Sequence, residues 1–226
     1  MKAPALRIFI GYDSKEPSAY AVLSHSILSR ASVPVAIIPL ALPGLARIYT
    51  RERGPTETTE FSLTRFLVPY LSGYEGYAVF MDSDMLARVD VGDLWLYVLA
   101  DPGKAVYVCP HDYEPQAGAK FLGQAQTSYP RKNWSSFMVF DNAKCRALSP
   151  EYVNTATGLQ LHRFQWTTDA QIGHLPLDFN WLVGEYAHND TARILHYTRG
   201  GPWFPSAEPV DHASDWWTAY EAAVLT

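Results

Sequence analysis

Four short apolar runs constrain this chain more than any other feature: Leu6-Arg7-Ile8-Phe9-Ile10, Val35 to Leu40, Tyr77-Ala78-Val79-Phe80-Met81 and Ala105 to Cys109. Each has the length of a buried strand and stops short of a buried helix. Between the first two, Pro17 opens a helical pattern to about Arg30, with Tyr20, Leu23, Ile27 and Leu28 on one face. Between the second and third, the polar stretch Arg47 to Glu60 holds Gly54-Pro55 and reads as a loop. Ser62 then caps a helix through Tyr70, with Leu63, Phe66 and Leu67 inward and Gly73 ending it. Strands alternating with helices predict an α/β fold whose central sheet is mostly parallel, becomes mixed later, and is flanked by helices. Further along, Asp112 to Lys132 is rich in Gly, Gln and Pro and reads as a long ordered loop. Phe137 to Phe140 is another strand, Thr168 starts a short helix, Ala192 to Leu195 is the last strand, and Asp215 to Val224 is a C-terminal helix.

The 226 residues suffice for one such domain with a sizeable core. A net charge of -5 without a Lys/Arg run disfavours nucleic acid as a partner. No apolar run reaches the length of a transmembrane segment, and Met1-Lys2-Ala3-Pro4 lacks a signal-peptide arrangement. Cys109 and Cys145 lie far apart and form no ligand pair, which predicts buried thiols in a reducing, cytoplasmic setting. The sequons at Asn133 and Asn189 are then structural. Seven Trp supply large aromatic surfaces, for the core or as walls for bases and sugar rings.

The third apolar run is followed at once by Asp82-Ser83-Asp84. Ligands of open α/β sheets bind beyond the carboxyl ends of strands, and two carboxylates at alternate positions there can hold a hard cation that also takes phosphate oxygens. By itself the spacing fits equally a turn cap beside a solvated Asp. Two enzyme classes place Asp-x-Asp at such a point. Haloacid-dehalogenase-type phosphatases use the first Asp, here Asp82, as nucleophile. They carry the motif on the first strand and need a later acidic pair, whereas here at least two strand signals come earlier and no adjacent Asp-Asp lies downstream. Sugar-nucleotide transferases use the pair to bind metal, and that reading leads.

A transferase makes further demands. Base and ribose need a site after the first strand, where Gly11-Tyr12-Asp13-Ser14 offers a ring to stack and a carboxylate to accept from ribose hydroxyls. A diphosphate needs cations, and Arg65, ahead of the third strand, can present a bidentate fork. Sugar hydroxyls need polar partners, which Arg131-Lys132-Asn133-Trp134-Ser135-Ser136 supplies in a dense run. A further metal ligand is available in His196 at the end of the last strand. Behind it, Gly200-Gly201 can offer backbone N–H groups to phosphate. Two carboxylates and an imidazole suit Mn²⁺ better than Mg²⁺, which prefers oxygen throughout. The other histidines show no comparable setting.

These residues resemble the retaining glycosyltransferases of family 8, the glycogenin and lipopolysaccharide galactosyltransferase group, or a bacterial or phage offshoot of it. Four pieces carry the resemblance: Phe9 to Asp13, Arg65 with Phe80 to Asp84, Asn133 to Asn142, and His196 to Trp203. It implies a single GT-A domain over 1–226, with a nucleotide-binding half of about 1–110 and a donor-sugar and acceptor half of about 111–226. It implies a divalent metal, usually Mn²⁺, on Asp82, Asp84 and His196, with Ser83 beside them, and UDP as the commonest donor nucleotide. Two departures stand out. The family pattern His-x-x-Gly-x-x-Lys-Pro-Trp has Gly201 where Lys is expected, in a loop one residue shorter, which passes the cationic role to Arg199 or Lys132. The family's Asp-Gln-Asp is here only Thr168-Asp169-Ala170-Gln171.

Sugar–phosphate cleavage builds negative charge on the diphosphate and oxocarbenium character on the sugar. Asp169 is the acid expected to stabilise the second charge, with Gln171 orienting the sugar. Under retention a phosphate oxygen takes the acceptor's proton; under inversion Asp169 is the base. A binder without turnover is the third alternative, given weight by the missing Lys. The acceptor, whether glycan, lipid or protein, is read by variable loops, here Asp112 to Lys132 and the surroundings of Trp181.

Overall fold

The computed structural model describes residues 5–54, 57–112, 119–120, 124–125, 131–205 and 209–224. Along the chain run β1 (Leu6–Gly11), α1 (Pro17–Leu28), β2 (Val35–Leu40), α2 (Leu42–Leu45), α3 (Val68–Leu71), β3 (Tyr77–Met81), β4 (Met85–Ala87), α4 (Leu94–Ala100) and β5 (Val106–Val108). There follow a hairpin of β6 (Ala119–Lys120) and β7 (Gln124–Ala125), then β8 (Phe137–Asp141), α5 (Pro150–Thr155), α6 (Gly158–His162), β9 (Ile172–His174), β10 (Trp181–Leu182), β11 (Ile194–His196) and α7 (Ala213–Val224).

The main sheet has the order β2-β1-β3-β8-β5-β9. β1 is parallel to β2 and β3, and β9 is parallel to β5. β8 is antiparallel to both its neighbours, so it alone opposes the other five strands. This is the mostly parallel, mixed sheet expected from the alternation of strands and helices. Strands β8 and β9 from the second half of the chain share it with β1 to β3. Side chains alternate across a strand, and both faces of β1 are covered. Phe9 joins Phe61, Phe66, Phe80 and Phe140 on one side. Ile8 and Ile10 join Leu23, Ile27, Val79 and Met81 on the other. Such burial on both faces is why the strands read as continuous apolar runs.

After β1 the chain crosses through α1 to β2 on one side and later returns to β3 on the other. The topological switch point therefore lies between β1 and β3, where Ile10 is level with Met81. The loops that leave these two strands begin with Tyr12 and Asp82. A second, smaller sheet, β10-β11-β4, stands beside this edge.

Several expectations are corrected. Ser62 caps no helix: its hydroxyl donates to Thr59 O, and the segment winds as a 3-10 turn over Thr64–Leu67 before α3, which has Pro69 in its first turn. Leu28 is 54% exposed because the buried stripe of α1 is Ala19, Val22, Leu23, Ser26 and Ile27, one position off. Thr168 starts only a single 3-10 turn, Asp169–Gln171. Of the stretch read as a long loop, 113–118, 121–123 and 126–130 lie outside the described residues, as do Met1 to Pro4 and Pro55. Cys109 and Cys145 are separate buried thiols, as expected. Among the described residues no helix is long and apolar enough to cross a membrane.

Candidate active site

Asp82 leaves β3 with its N–H on Ser136 O, 2.9 Å away. The chain then turns through Ser83 and Asp84 into β4, which pairs antiparallel with β11 so that His196 is level with Met85. Tyr197 N–H donates to Asp84 O at 2.8 Å and continues that ladder. Two strands distant in sequence thus bring Asp82, Asp84 and His196 together, with one ligand atom of each within 4.8 Å of the others.

The His196 ring is 2% exposed, and a chain of hydrogen bonds fixes its tautomer. Ser136 Oγ donates to Asn133 O at 2.7 Å, so it accepts from Asn180 Nδ2 at 2.9 Å. Asn180 Oδ1 therefore faces His196 Nδ1 at 2.8 Å and accepts its proton. The lone pair of Nε2 is then turned toward Asp84 Oδ1, 3.3 Å away. In the neutral ring these two acceptors would repel at this distance, and either a proton on Nε2 or a metal ion between them removes the conflict. An imidazole with a carbonyl-type acceptor behind it and two carboxylates in front is a donor set suited to a divalent transition ion.

Arg65 lies beside this trio. It is 6% exposed, with Nη1 2.8 Å from Asp82 Oδ1 and 3.0 Å from Ser135 O. Its guanidinium stands 4.9 Å from the ring centre of Phe80 and 5.3 Å from that of Phe61. The residue expected to present a fork to the diphosphate is thus a buried cation clamped to the first Asp from a 3-10 turn. Lys132 and Ser83 are also buried, and the Ser83 hydroxyl has no hydrogen-bond partner among the described residues.

The other expected residues are distributed around this centre. Asp13 takes Lys15 N–H on one carboxylate oxygen at 2.9 Å and Glu60 N–H on the other at 3.1 Å, tying the β1 loop to the loop before Phe61. Tyr12 is half-buried, edge-on to Tyr20. Gly11 is required by packing: a Cβ there would lie 2.3 Å from the Phe61 ring. Ser135 Oγ is 2.7 Å from His162 Nδ1. Ser135 and Ser136 are therefore both held by protein groups and 3% exposed. Arg131 and Asn133 take left-handed backbone at φ 64° and 62°, a strained geometry that clusters at binding sites. Arg131 Nη2 is 2.6 Å from Asp169 Oδ1. The Asp169 carboxylate is itself mostly exposed, and Gln171 is half-buried. Arg199 donates to Gly184 O at 3.2 Å. Gly200 has φ 105° and gives its N–H to Tyr197 O, so in this conformation that group is not offered to phosphate. A Cβ on Gly201 would fall 1.9 Å from the Trp203 ring, which packs flat over that glycine.

Sequence reasoning missed three neighbours. Asn180 sets the His196 tautomer, but a lone Asn in a loop carries no signal of that task. His111, set aside with the other histidines, is buried near His196, its Nδ1 2.8 Å from Tyr186 OH. Burial and the nearby His196 push its pKa down to about 3. Glu16 reads as an acidic residue before a helix, yet it is 5% exposed and accepts from Trp203 Nε1 at 3.2 Å. Burial, then the carboxylates of Asp84 and Asp13, push its carboxyl up to about 8. The folded state thus holds a proton that the unfolded state releases near the usual carboxylate pKa. Stability from this group is full below that value and is lost as pH rises through about 8. In metal-free protein, urea unfolding at pH 5 and pH 8.5 should show wild type losing on the order of 3 kcal/mol more than Glu16→Gln across that window. Equal pH slopes for the two proteins would refute the shift.

No family model matches the chain. The Arabidopsis thaliana protein named Protein CDI is 45% identical over 219 residues, which cover 93% of this chain and 84% of the plant protein. Among solved structures, the apo bifunctional glycosyltransferase WbbM matches with a TM-score of 0.66 and 16% identity, over 96% of this chain and 49% of its own. The apo glycosyltransferase GlyE of Streptococcus pneumoniae TIGR4 matches at 0.62 and 13%, over 96% of this chain and 60% of its own. The galactosyltransferase LgtC, solved with donor and acceptor sugar analogs, matches at 0.59 and 10%, over 96% of both chains. The chain thus spans about half the length of the WbbM chain and 60% of the GlyE chain. At these identities the likeness defines the fold, which is the GT-A fold. A haloacid-dehalogenase-type phosphatase has a different fold, and that alternative is set aside.

Proposed function

The chain belongs to the family of the Arabidopsis thaliana Protein CDI, and we propose that it is a metal-dependent glycosyltransferase that moves a sugar from a nucleoside diphosphate donor, UDP first among them, to an acceptor alcohol with retention. The observation that carries this reading is the opposition of His196 Nε2 and Asp84 Oδ1 at 3.3 Å, with Asp82 alongside, at the carboxyl edge of β3. The donor set fits Mn²⁺ better than Mg²⁺. Asp82, Asp84 and His196 would hold the ion, which supplies Lewis-acid neutralisation of the departing diphosphate.

This chain's own groups do the rest. Asn180 keeps Nε2 of His196 aimed at the site through its bond to Nδ1, and Arg65 holds the Asp82 carboxylate in place. Tyr12 and Asp13, on the other flank of the switch point, receive base and ribose, and Ser83, between the two metal-binding acids, faces the donor from the β3 side. Lys132 and Arg199 supply the positive charge that Gly201 does not. Arg131 positions Asp169 through their ion pair, and Asp169 stabilises the oxocarbenium face of the sugar while Gln171 orients it. Under retention the acceptor proton passes to a leaving-group oxygen, so no buried base is required. The acceptor is a glycan, lipid or protein hydroxyl.

Thermal unfolding tests the reading. UDP at about 100 times its dissociation constant should add roughly 2.7 kcal/mol in the presence of Mn²⁺, a rise of about 5–10 °C, and almost nothing without metal. A UDP-induced rise that ignores the metal would rule out this site as described.

A further inference from the structure

A second cluster of metal-ligating side chains lies where the loop after β10 meets the start of α7. His188, Asp211 and His212 each place a donor atom within 4.8 Å of the others. Asp211 stands between the two histidines: Oδ1 is 2.7 Å from His188 Nδ1, and Oδ2 is 3.7 Å from His212 Nε2. A tetrahedral zinc site with bonds near 2.0–2.1 Å needs roughly 3.4 Å between ligand atoms, so the three side chains stand close enough to converge on one ion once the His188 ring has turned. Each histidine has a carboxylate of its own behind it. His188 Nε2 is 3.0 Å from Asp190 Oδ1, and His212 Nδ1 is 3.2 Å from Asp215 Oδ2. Carboxylate–histidine–metal relays of this kind fix ligating imidazoles in known sites, and here the pattern occurs twice around one shared acid.

An independent observation points to a ligand. His212 is 7% exposed, and its Nε2 is buried with no hydrogen-bond partner among the described residues. A buried imidazole nitrogen left in that state is costly, whereas a metal would satisfy it. An open pocket of about 570 Å³, lined by His188, Asp190, Asp211, His212 and Asp215 among others, gives access. Three carboxylates, Asp190, Asp211 and Asp215, line it, and among the described residues Arg88 is the Lys or Arg paired with one of them, 3.9 Å from Asp215, so the pocket attracts cations.

We infer that His188, Asp211 and His212 form a second divalent transition-metal site, of the zinc class, separate from the acid pair after β3. The two rings are stacked, 4.3 Å apart and 14° from parallel, so shared ligation requires the half-exposed His188 ring to swing out of the stack. His188 has a carboxylate on each ring nitrogen, and its pKa is raised chiefly by its bond to Asp211. The incoming ion takes the Nδ1 position and one proton leaves to solvent. Bound there, the ion fastens the 185–191 loop to the first turn of α7. Tyr197 OH already donates to His212 O at 3.0 Å, which links the clamp to the residue after His196.

The test is zinc stoichiometry by equilibrium dialysis of the full chain, with Asp84→Ala as background so that the β3 acid pair no longer competes. Asp84→Ala should retain one equivalent of Zn²⁺, and adding the surface change His188→Ala should abolish it. Asp190→Asn, at an exposed carboxylate, should weaken binding by roughly 10–100-fold without touching the ion, as loss of an outer partner does. If Asp84→Ala binds no Zn²⁺, or if the ion it binds is indifferent to both His188→Ala and Asp190→Asn, the site does not exist. The proposal is independent of the sugar-transfer reading, because binding is read without donor or activity.

Discussion

Asp84→Asn lowers donor-sugar turnover by roughly 10²–10³-fold while leaving the metal-free protein as stable as wild type or more so. The two effects have opposite signs because Asp84 is a liability in the empty fold and an asset in the loaded one. Its carboxylate lies 3.3 Å from His196 Nε2, and it is the first of the charges that, after burial, push the Glu16 pKa up to about 8. Removing that charge relieves the buried Glu16 carboxyl. In the proposed loaded site the same carboxylate is one of two that would fix the ion. Losing the charge stabilisation of a leaving diphosphate is worth several kcal/mol of barrier, or about tenfold per 1.4 kcal/mol. Donor hydrolysis with a UDP-sugar panel, beside thermal unfolding without metal, measures both quantities. Turnover within threefold of wild type would remove Asp84 from the metal centre. A parallel loss of stability and activity would make it a structural residue.

Much of the frame was readable from pattern alone, and the reasons differ from element to element. β1, β3 and β8 are buried on both faces, so their apolar runs stand out against the polar segments around them, and β2, half-buried at the sheet edge, is apolar along its whole length. β4, β9 and β10 are two or three residues long, which is too short to hold a period. They escaped notice although β4 sets the register that brings His196 opposite Met85. The trio Asp82, Asp84 and His196 was accessible because each residue lies at the end of an apolar strand, where sheet geometry dictates convergence. Glu16, Asn180 and His111 were not, since their roles come from contacts made across the fold. Glu16 meets Trp203, 187 positions away, and Asn180 spans the gap between Ser136 and His196. The polar run Arg131 to Ser136 is expected from sequence to serve the sugar hydroxyls. The structure shows part of that polarity already committed: Ser136 to the tautomer chain, Ser135 to His162 and Arg65.

Arg65 is where the sequence expectation and the packing part most sharply, and one substitution separates them. If the guanidinium serves mainly as a fork for diphosphate, Arg65→Met keeps the melting temperature and weakens only UDP binding. The geometry argues for a larger effect on the fold. Arg65 is buried between Phe61 and Phe80, neutralises Asp82 at 2.8 Å and satisfies Ser135 O at 3.0 Å. Breaking a buried pair from one side leaves a charge without its counterion and costs about 3–5 kcal/mol. For a chain of this size that is a fall of roughly 6–20 °C in melting temperature. Adding Asp82→Asn should recover much of the loss, because the charge that Arg65 neutralised is then gone, and the coupling between the two changes isolates the pair. Mn²⁺ should recover part of it in Arg65→Met alone, since a cation on Asp82 does for the carboxylate what the guanidinium did. A drop that neither Asp82→Asn nor Mn²⁺ reverses would place the value of Arg65 in its contacts with the two rings and not in its charge.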